Sequence, residues 1–358
     1  MGEKLIRSRA PVRIDFAGGW TDVPDFCRAR PGYVVNAAIN VYSFVTISEG
    51  AVLKGNGGPA LRERGEVPHH GITLYSSDFD LYVQAENIRE LEYDGNIDLV
   101  KAAVKRLGVE REFTLITQSI APPGSGLGTS ASMGVALLSA LSRYAGRHFL
   151  AYELAEEASR IEREELGILG GKQDHYASAL GSLLFLEFRG EEVRSSALSV
   201  SRAVALELEK NLVLCYTGQS RLSGDIHARV KERYENHDPH TVGAIEEMKD
   251  IALEMKEAIL GEHMAPFAKL LNRNWECQKR LHPSVTNEGI ERVFRAALDN
   301  GAIGGKACGA GGGGCVLFYC RPEREHQVRR ALQQEGATII DFNIDFFGAE
   351  TWIEECVG

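Results

Sequence analysis

Long apolar runs are absent. No stretch of the 358 residues approaches the ~18 consecutive apolar side chains that a membrane-spanning helix needs, so no membrane partner is expected. The opening segment MGEKLIRSRAPVRIDF spreads charge over its first thirteen residues and lacks the apolar core of a secretion signal. A basic surplus is missing too: Lys and Arg number 40 against 50 Asp and Glu, a net charge of −10. That argues against nucleic acid as a partner, while leaving room for a small anion in a local basic pocket. The seven cysteines (27, 215, 277, 308, 315, 320 and 356) form no CxxC pair, and the cluster 308, 315, 320 has no zinc-site spacing. They read as buried free thiols in a reducing cytoplasm. Tandem repeats and low-complexity linkers are also lacking. What remains is a globular composition, 44% hydrophobic and 25% charged, long enough for two domains of ~100–200 residues. The excess is glycine, with 38 residues, heavily clustered.

β-Branched and aromatic residues predict strands over 6–17 and 33–48, joined through a turn at Ala17-Gly18-Gly19. Residues 51–71, with five Gly and two Pro, read as a surface loop. Strands are expected near 72–77 and 80–85. The spacing of Ile97, Val100, Val104 and Leu107 predicts a helix over 96–107, and a strand follows over 113–117. Further helices are expected from Thr129 to just before Gly146 and over 151–165, then strands at 182–188 and 211–217. Residues 223–298 are mostly helical in pattern, broken near Pro239, Gly261 and Pro283. The tail reads strand (301–307), glycine run (309–314), strand (315–320), helix (323–334), strand (337–345). The weakly patterned stretch 195–201 divides the chain into domains of 1–200 and 201–358, an α+β architecture of two closely packed halves.

The sharpest local feature is Pro122-Pro123-Gly124-Ser125-Gly126-Leu127-Gly128-Thr129-Ser130-Ala131-Ser132. Glycines at 124, 126 and 128 let backbone N–H groups turn toward one point without obstruction by Cβ. A helix beginning near Thr129 aims its free N–H groups and positive dipole end at the same point. This suits phosphate, with Thr129, Ser130 and Ser132 as caps or Mg²⁺ ligands; a capped helix after a flexible turn is the plainer alternative. There is no Walker loop, because around Gly171-Lys172 the motif's first glycine position is Leu166 and its Ser/Thr position is Gln173. Nor does the 122–132 segment have the G-x-G-x-x-G spacing of a dinucleotide fold. The second cluster, Gly304-Gly305-Lys306-Ala307-Cys308-Gly309-Ala310-Gly311-Gly312-Gly313-Gly314, holds more glycine than a bare hairpin requires. Close approach of backbone to a ligand explains it better.

Phosphoryl transfer requires metal ligands, cationic charge and a group to orient or deprotonate the acceptor hydroxyl. Glu162, on the helix after the glycine loop's helix, and Asp174, beyond Gly170-Gly171, are the candidates; ordinary surface carboxylates are the alternative. Arg13 and Asp22 flank the Gly18-Gly19 turn, and Arg13 alternates with apolar Val12 and Ile14.

Together these motifs resemble the GHMP kinase superfamily, named for galactokinase, homoserine kinase, mevalonate kinase and phosphomevalonate kinase. RAPVRIDFAGGWTD (9–22) is similar to the sugar-kinase N-terminal signature, PPGSGLGTSAS (122–132) to the phosphate loop and GGKACGAGGGG (304–314) to the third motif. The resemblance covers nearly the whole chain. It implies an N-terminal domain like ribosomal protein S5 domain 2, a ferredoxin-like C-terminal domain, an active site between them, and ATP with Mg²⁺. By position it implies Asp174 as catalytic aspartate assisted by Arg13, and Ser130 and Glu162 as metal ligands. Pro123, Gly124, Ser125, Gly126, Leu127, Gly128, Thr129 and Ser130 would cradle the triphosphate, and Asp22 would bind sugar hydroxyls. Backbone of 309–314, Gly311 and Gly312 included, would approach the transferred phosphoryl group or the sugar.

The departures bear on the substrate. Galactokinases carry Glu-His where this chain has Gly19 and Trp20, so galactose does not fit. AGGWTDVPDF resembles instead the branch of D-glycero-D-manno-heptose 7-phosphate kinases and fucokinases, as do GYVVNAAINVY (32–42), YTGQSRLSGDI (216–226) and GKACGAGGGGCVLFY (305–319). The resemblance thus implies an anomeric-hydroxyl kinase whose acceptor is a heptose 7-phosphate. The alternatives are free L-fucose or another unphosphorylated sugar, a silent sugar sensor, or, remotely, a decarboxylase of phosphorylated mevalonate derivatives. A phosphosugar needs a cationic clamp, for which Arg221, Lys172 and Lys306 are the candidates. A homodimer stays open.

Overall fold

The computed structural model describes residues 4–49, 71–218 and 223–355. The expected surface loop, all but Gly71, lies outside the described residues, as do Arg221 and Cys356. Strand β1 (Lys4–Ala17) runs antiparallel to β2 (Gly32–Glu49), after the short helix α1 (Pro24–Cys27) that follows the glycine turn. Strands β3 (Ile72–Ser76) and β4 (Leu81–Ala85), helix α2 (Asp98–Leu107) and β5 (Phe113–Ser119) match their expected positions. Helix α3 (Thr129–Tyr144) follows the first glycine loop. Helix α4 (Ala151–Arg160) ends earlier than expected and widens into a π-helical turn, Ile161–Glu165, before α5 (Gln173–Leu180).

One edge of β2 pairs with β1 along most of its length. The other is shared: residues 43–49 pair with β5 and residues 32–37 with β6 (Leu183–Arg189), which in turn pairs with β7 (Glu192–Ala197). Side chains alternate across this sheet as the pleat dictates. Val35, Ala37 and Ile39 join one core with Leu214, Met248, Phe267 and Phe318 from the second half of the chain. Val34, Val45 and Ile47 pack with Val135, Leu138 and Leu141 of α3 on the opposite side. The sheet is therefore buried on both faces and joins the two halves. Pro11, which has no N–H for the ladder, sits where the β1–β2 register slips.

In the second half, α6 (Arg202–Asn211) leads into β8 (Leu212–Tyr216). Helices α7 (Ser223–Glu235), α8 (Pro239–Leu260), α9 (Met264–Leu281) and α10 (Glu288–Asp299) follow, broken where Pro239, Gly261 and Pro283 were expected to break them. Strands β9 (Ala302–Ala307) and β10 (Cys315–Cys320), helix α11 (Glu325–Gln334) and β11 (Thr338–Ile340) complete an antiparallel sheet in the order β11-β8-β10-β9. Counted within this half the order is fourth-first-third-second, as a ferredoxin-like βαββαβ unit requires. The expected strand over 337–345 is shorter, because the chain turns away after Ile340 and Ile344 bridges to Ile39 of β2. A strand that the sequence pattern did not reveal, β12 (Glu350–Glu355), returns to pair with β1 on its outer edge. The last described strand therefore belongs to the first sheet, a point where the structure differs from a simple division at residue 200. The six described cysteines are buried and free.

Candidate active site

The glycine loop and α3 form one wall of a cleft of about 320 Å³ between the two halves. Gly126 and Gly128 both adopt φ +75°, in the left-handed region. A Cβ on Gly126 would stand 2.5 Å from the Cys308 carbonyl oxygen, and one on Gly128 2.9 Å from Asp174 Oδ2. The first intrahelical bond of α3 runs from Ser132 N to Gly128 O at 2.9 Å. The N–H groups of residues 129–131 consequently have no partner within the helix. Gly128 offers no side-chain cap, and residues 128–131 line the cleft. The arrangement leaves free helix N–H groups facing the cleft, the geometry that suits an anion. Pro123 and Leu127 do not line the cleft: Pro123 is exposed, and Leu127 is buried with its carbonyl accepting Arg13 N–H at 2.9 Å.

Facing that helix end is Asp174, in the first turn of α5. Arg13 reaches it from β1 with a two-pronged contact: Nε donates to Oδ1 and an Nη to Oδ2, each at 2.8 Å, while the other Nη donates to Gly126 O at 2.7 Å. Burial opposes the guanidinium's charge, but Asp174 and then Asp15 overcome it and raise its pKa. Asp174 itself stays partly open to the cleft. The result is a carboxylate fixed in place, with one side left for a ligand.

Glu162 projects from the π-helical turn, a local widening common at functional sites. It is buried yet held below the usual carboxylate range. Burial alone would raise it, but His175 first, then a hydrogen bond from Ser130, and Arg163 favour the anion. His175 Nε2 lies 2.7 Å from Glu162 Oε2, and neither ring nitrogen makes an aligned hydrogen bond. Ser130 and Glu162 thus set a hydroxyl and an ionised carboxylate side by side at the helix end. Hard oxygen donors of this kind, beside a phosphate site, fit Mg²⁺.

The Gly18–Asp22 turn forms the opposite wall. Trp20 adopts φ +78°, a strained position for a bulky residue, and is held there by Thr21 Oγ1, which donates to Gly18 O at 2.7 Å and accepts Tyr33 N–H at 2.9 Å. Its indole lies against the His227 ring, with centroids 4.4 Å apart. Burial pushes His227 down to about 4, so the ring is neutral. Gly19 and Trp20 both line the cleft. Asp22 Oδ2 accepts Gln173 N–H at 3.1 Å and presses on Gly171, where a Cβ would stand 1.8 Å away. Burial, then the charge of Asp174, raises Asp22 to about 6.

Two expected clamp residues are engaged elsewhere. Lys172 Nζ donates to the Glu156 carboxylate at 3.0 Å and the Glu191 carbonyl at 3.2 Å, turned away from the cleft. Lys306 is fully buried and donates to Asp15 Oδ2 at 2.5 Å and the Asp15 carbonyl at 2.9 Å. It acts on the cleft only through Asp15, which lines it. The second glycine run reaches the cleft only in part. Gly309 and Gly314 let its backbone lie against that of Gly126 and Ser125, and Cys315 N donates to Ser125 O at 2.7 Å. Gly309, Gly311 and Gly313 reach the cleft, whereas Gly312 donates to Val285 O and accepts from Asn287 Nδ2. Asp15, Arg163, His175 and His227 are cleft residues that sequence reasoning missed. Asp15 lies within the 9–22 motif but was not singled out, and Arg163, His175 and His227 fall outside the quoted motifs and reach the cleft through tertiary packing.

A helix end for phosphate opposite a clamped carboxylate, at the seam of two α+β halves, is the geometry of a small-molecule kinase. Residues 98–182 match the GHMP kinases N terminal domain and residues 255–338 the GHMP kinases C terminal domain. The D-glycero-alpha-D-manno-heptose 7-phosphate kinase of Campylobacter jejuni is 33% identical over 98% of this chain and 99% of its own. The crystal structure of a D-glycero-D-manno-heptose 1-phosphate kinase from Bacteroides thetaiotaomicron superposes with a TM-score of 0.76 at 29% identity, covering 97% of this chain and 98% of that one. The bifunctional fucokinase/GDP-fucose pyrophosphorylase of Arabidopsis thaliana is 26% identical over 91% of this chain, which spans 31% of that protein. The chain belongs to the GHMP kinase family.

Proposed function

We propose that this protein is an ATP-dependent sugar kinase that transfers the γ-phosphoryl group to the anomeric hydroxyl of D-glycero-D-manno-heptose 7-phosphate, giving the 1,7-bisphosphate. The observation that carries the proposal is the position of Asp174. Its carboxylate faces Gly128 at the helix end closely enough that a Cβ there would stand 2.9 Å from Oδ2, and it is held by Arg13. An acceptor hydroxyl hydrogen-bonded to Asp174 would therefore lie beside a phosphoryl group held by the backbone of residues 124–130. Asp174 orients that hydroxyl and takes its proton as the new P–O bond forms and ADP leaves. Arg13 fixes the carboxylate's direction, and N–H groups of 129–131 stabilise charge on the phosphate oxygens. Ser130 and Glu162 are the residues that would hold Mg²⁺, which would supply positive charge to the phosphate oxygens. Asp22 accepts from sugar hydroxyls, with Gly19 and Trp20 shaping the pocket around them. The heptose phosphate as acceptor rests on the N-terminal motif and on the full-length similarity to the Campylobacter jejuni enzyme.

The test is ADP release with Mg-ATP, offering heptose 7-phosphate and L-fucose separately and reading the product position by phosphorus NMR. Turnover of the heptose phosphate to a 1,7-bisphosphate is expected. Asp174→Asn should lose about 10²–10⁴-fold in kcat with nucleotide affinity kept. Near-normal turnover in that variant, or turnover of fucose alone, would refute the assignment.

A further inference from the structure

A phosphorylated acceptor must have its own phosphate neutralised away from the reacting end, and the cations near the cleft can be followed one by one. Lys172 and Lys306 are bound into ion pairs with Glu156 and Asp15. Arg13 is committed to Asp174. Among the described residues, the remaining lysine or arginine lining the cleft is Arg163, next to Glu162 on the π-helical turn. Its side chain is largely buried, and its polar contacts are loose. Nη1 is 3.5 Å from Ser159 Oγ and 4.0 Å from Glu191 Oε2, both longer than a charge-assisted hydrogen bond.

Arg163 also lines a second hollow of about 280 Å³, which opens off the first past Trp20, His227 and Leu169. None of residues 124–131 borders this second hollow, so it lies off the phosphate-loop side of the cleft. It is bordered instead by Trp20, Val23, Asp25 and Arg28 from the N-terminal turn and its helix, by Glu164 and Glu191, and by Lys231 from α7, so the carboxylates around it must stay with their own cations for Arg163 to face an anion. Arg28 and Lys231 have close carboxylate partners, Glu191 at 3.2 Å and Asp25 at 3.1 Å. The neutral His227 adds no charge of its own.

We infer that Arg163 and the hollow beside Trp20 form the subsite for the acceptor's remote phosphate, and that this arginine makes the enzyme prefer a phosphorylated sugar. The inference rests on the proposed reaction, and assigns the clamp to a residue outside every sequence motif. A guanidinium held by a rigid turn, partly desolvated and lacking a tight carboxylate, is suited to a two-pronged phosphate contact. Its neighbour Glu162 faces the nucleotide side, so one widened turn serves both ends of the reaction.

The experiment is calorimetric titration of the wild-type protein, Arg163→Gln and Arg163→Lys with heptose 7-phosphate and with the same heptose lacking phosphate, alongside titration with ATP. In the wild type the phosphate should strengthen binding at least tenfold. Arg163→Gln should lose that margin and bind the free heptose and ATP as the wild type does, while Arg163→Lys keeps part of it. A margin undiminished in Arg163→Gln overturns the subsite and leaves the kinase assignment standing. Loss of ATP affinity with the margin intact places Arg163 on the nucleotide and overturns it equally. A wild type that binds both heptoses alike refutes the phosphorylated acceptor itself. Arg163→Lys, which retains the charge, separates loss of the contact from loss of the fold.

Discussion

Asp22 is buried, accepts the Gln173 N–H and its own backbone N–H, and lies near Asp174, so that its pKa is raised to about 6 against 3.8 for the free group. A raised carboxyl pKa means that the folded state disfavours the ionised form. The cost is absent below pH 3.8, grows through the interval between the two values and is complete above pH 6. The shift of about 2 pH units corresponds to about 3 kcal/mol at pH 8 and about half of that at pH 5. Asparagine has the same shape, can still accept the Gln173 N–H, and carries no charge. Asp22→Asn should therefore stabilise the ligand-free protein, by a margin roughly 1 kcal/mol larger at pH 8 than at pH 5. Urea unfolding at both pH values measures this directly. The same variant should bind the acceptor more weakly, since a charged acceptor for sugar hydroxyls has become a neutral one. A stability gain identical at the two pH values, or a destabilised variant at pH 8, would refute the reasoning that Asp22 is held as a carboxylate against its surroundings for the sake of the ligand.

Two further perturbations test the lysines that sit within the motifs but outside the cleft. Lys306→Met leaves Asp15 buried without its counter-charge and should cost about 3–5 kcal/mol, read as a lowered denaturation midpoint. Lys172→Met removes a partner of Glu156, which retains the Tyr176 hydroxyl at 2.6 Å. It should cost about 1–3 kcal/mol while leaving KM for the sugar unchanged. A raised sugar KM at full stability would restore Lys172 to the substrate pocket.

Much of this architecture was legible because its signals are local. Glycines 124, 126 and 128 ahead of a small-residue helix announce a phosphate loop, and Pro239, Gly261 and Pro283 announce helix ends. Asp174, Arg13, Ser130 and Glu162 were found through motif order and stand together in the cleft. Direction was harder to read. Lys172 is two residues from Asp174, yet two residues along a helix is more than half a turn, so the lysine points at Glu156 instead. Lys306 lies in a glycine-rich motif, but the strand pleat turns it inward onto Asp15. Arg163 carries no motif, and it reaches the cleft because the helix widens beneath it, a distortion invisible in a 3.6-residue pattern. The glycine run 304–314 was read as bringing backbone close to a ligand; Gly309, Gly311 and Gly313 do reach the cleft, and Gly309 and Gly314 also let one loop's backbone approach the other's.

The pairing of β12 with β1 bears on how this protein is made. Six consecutive residues, 4–9, find their outer neighbours only at 350–355, so during synthesis the first described strand stays open-edged until almost all of the described chain has followed it. An unpaired edge is a template for neighbouring chains, and at ~5–20 residues per second this one is uncovered for tens of seconds in every round of synthesis. Premature stops a few codons before residue 350 would remove none of the cleft described above and still leave that edge permanently bare. For such products the expected defect is aggregation rather than a damaged catalytic centre.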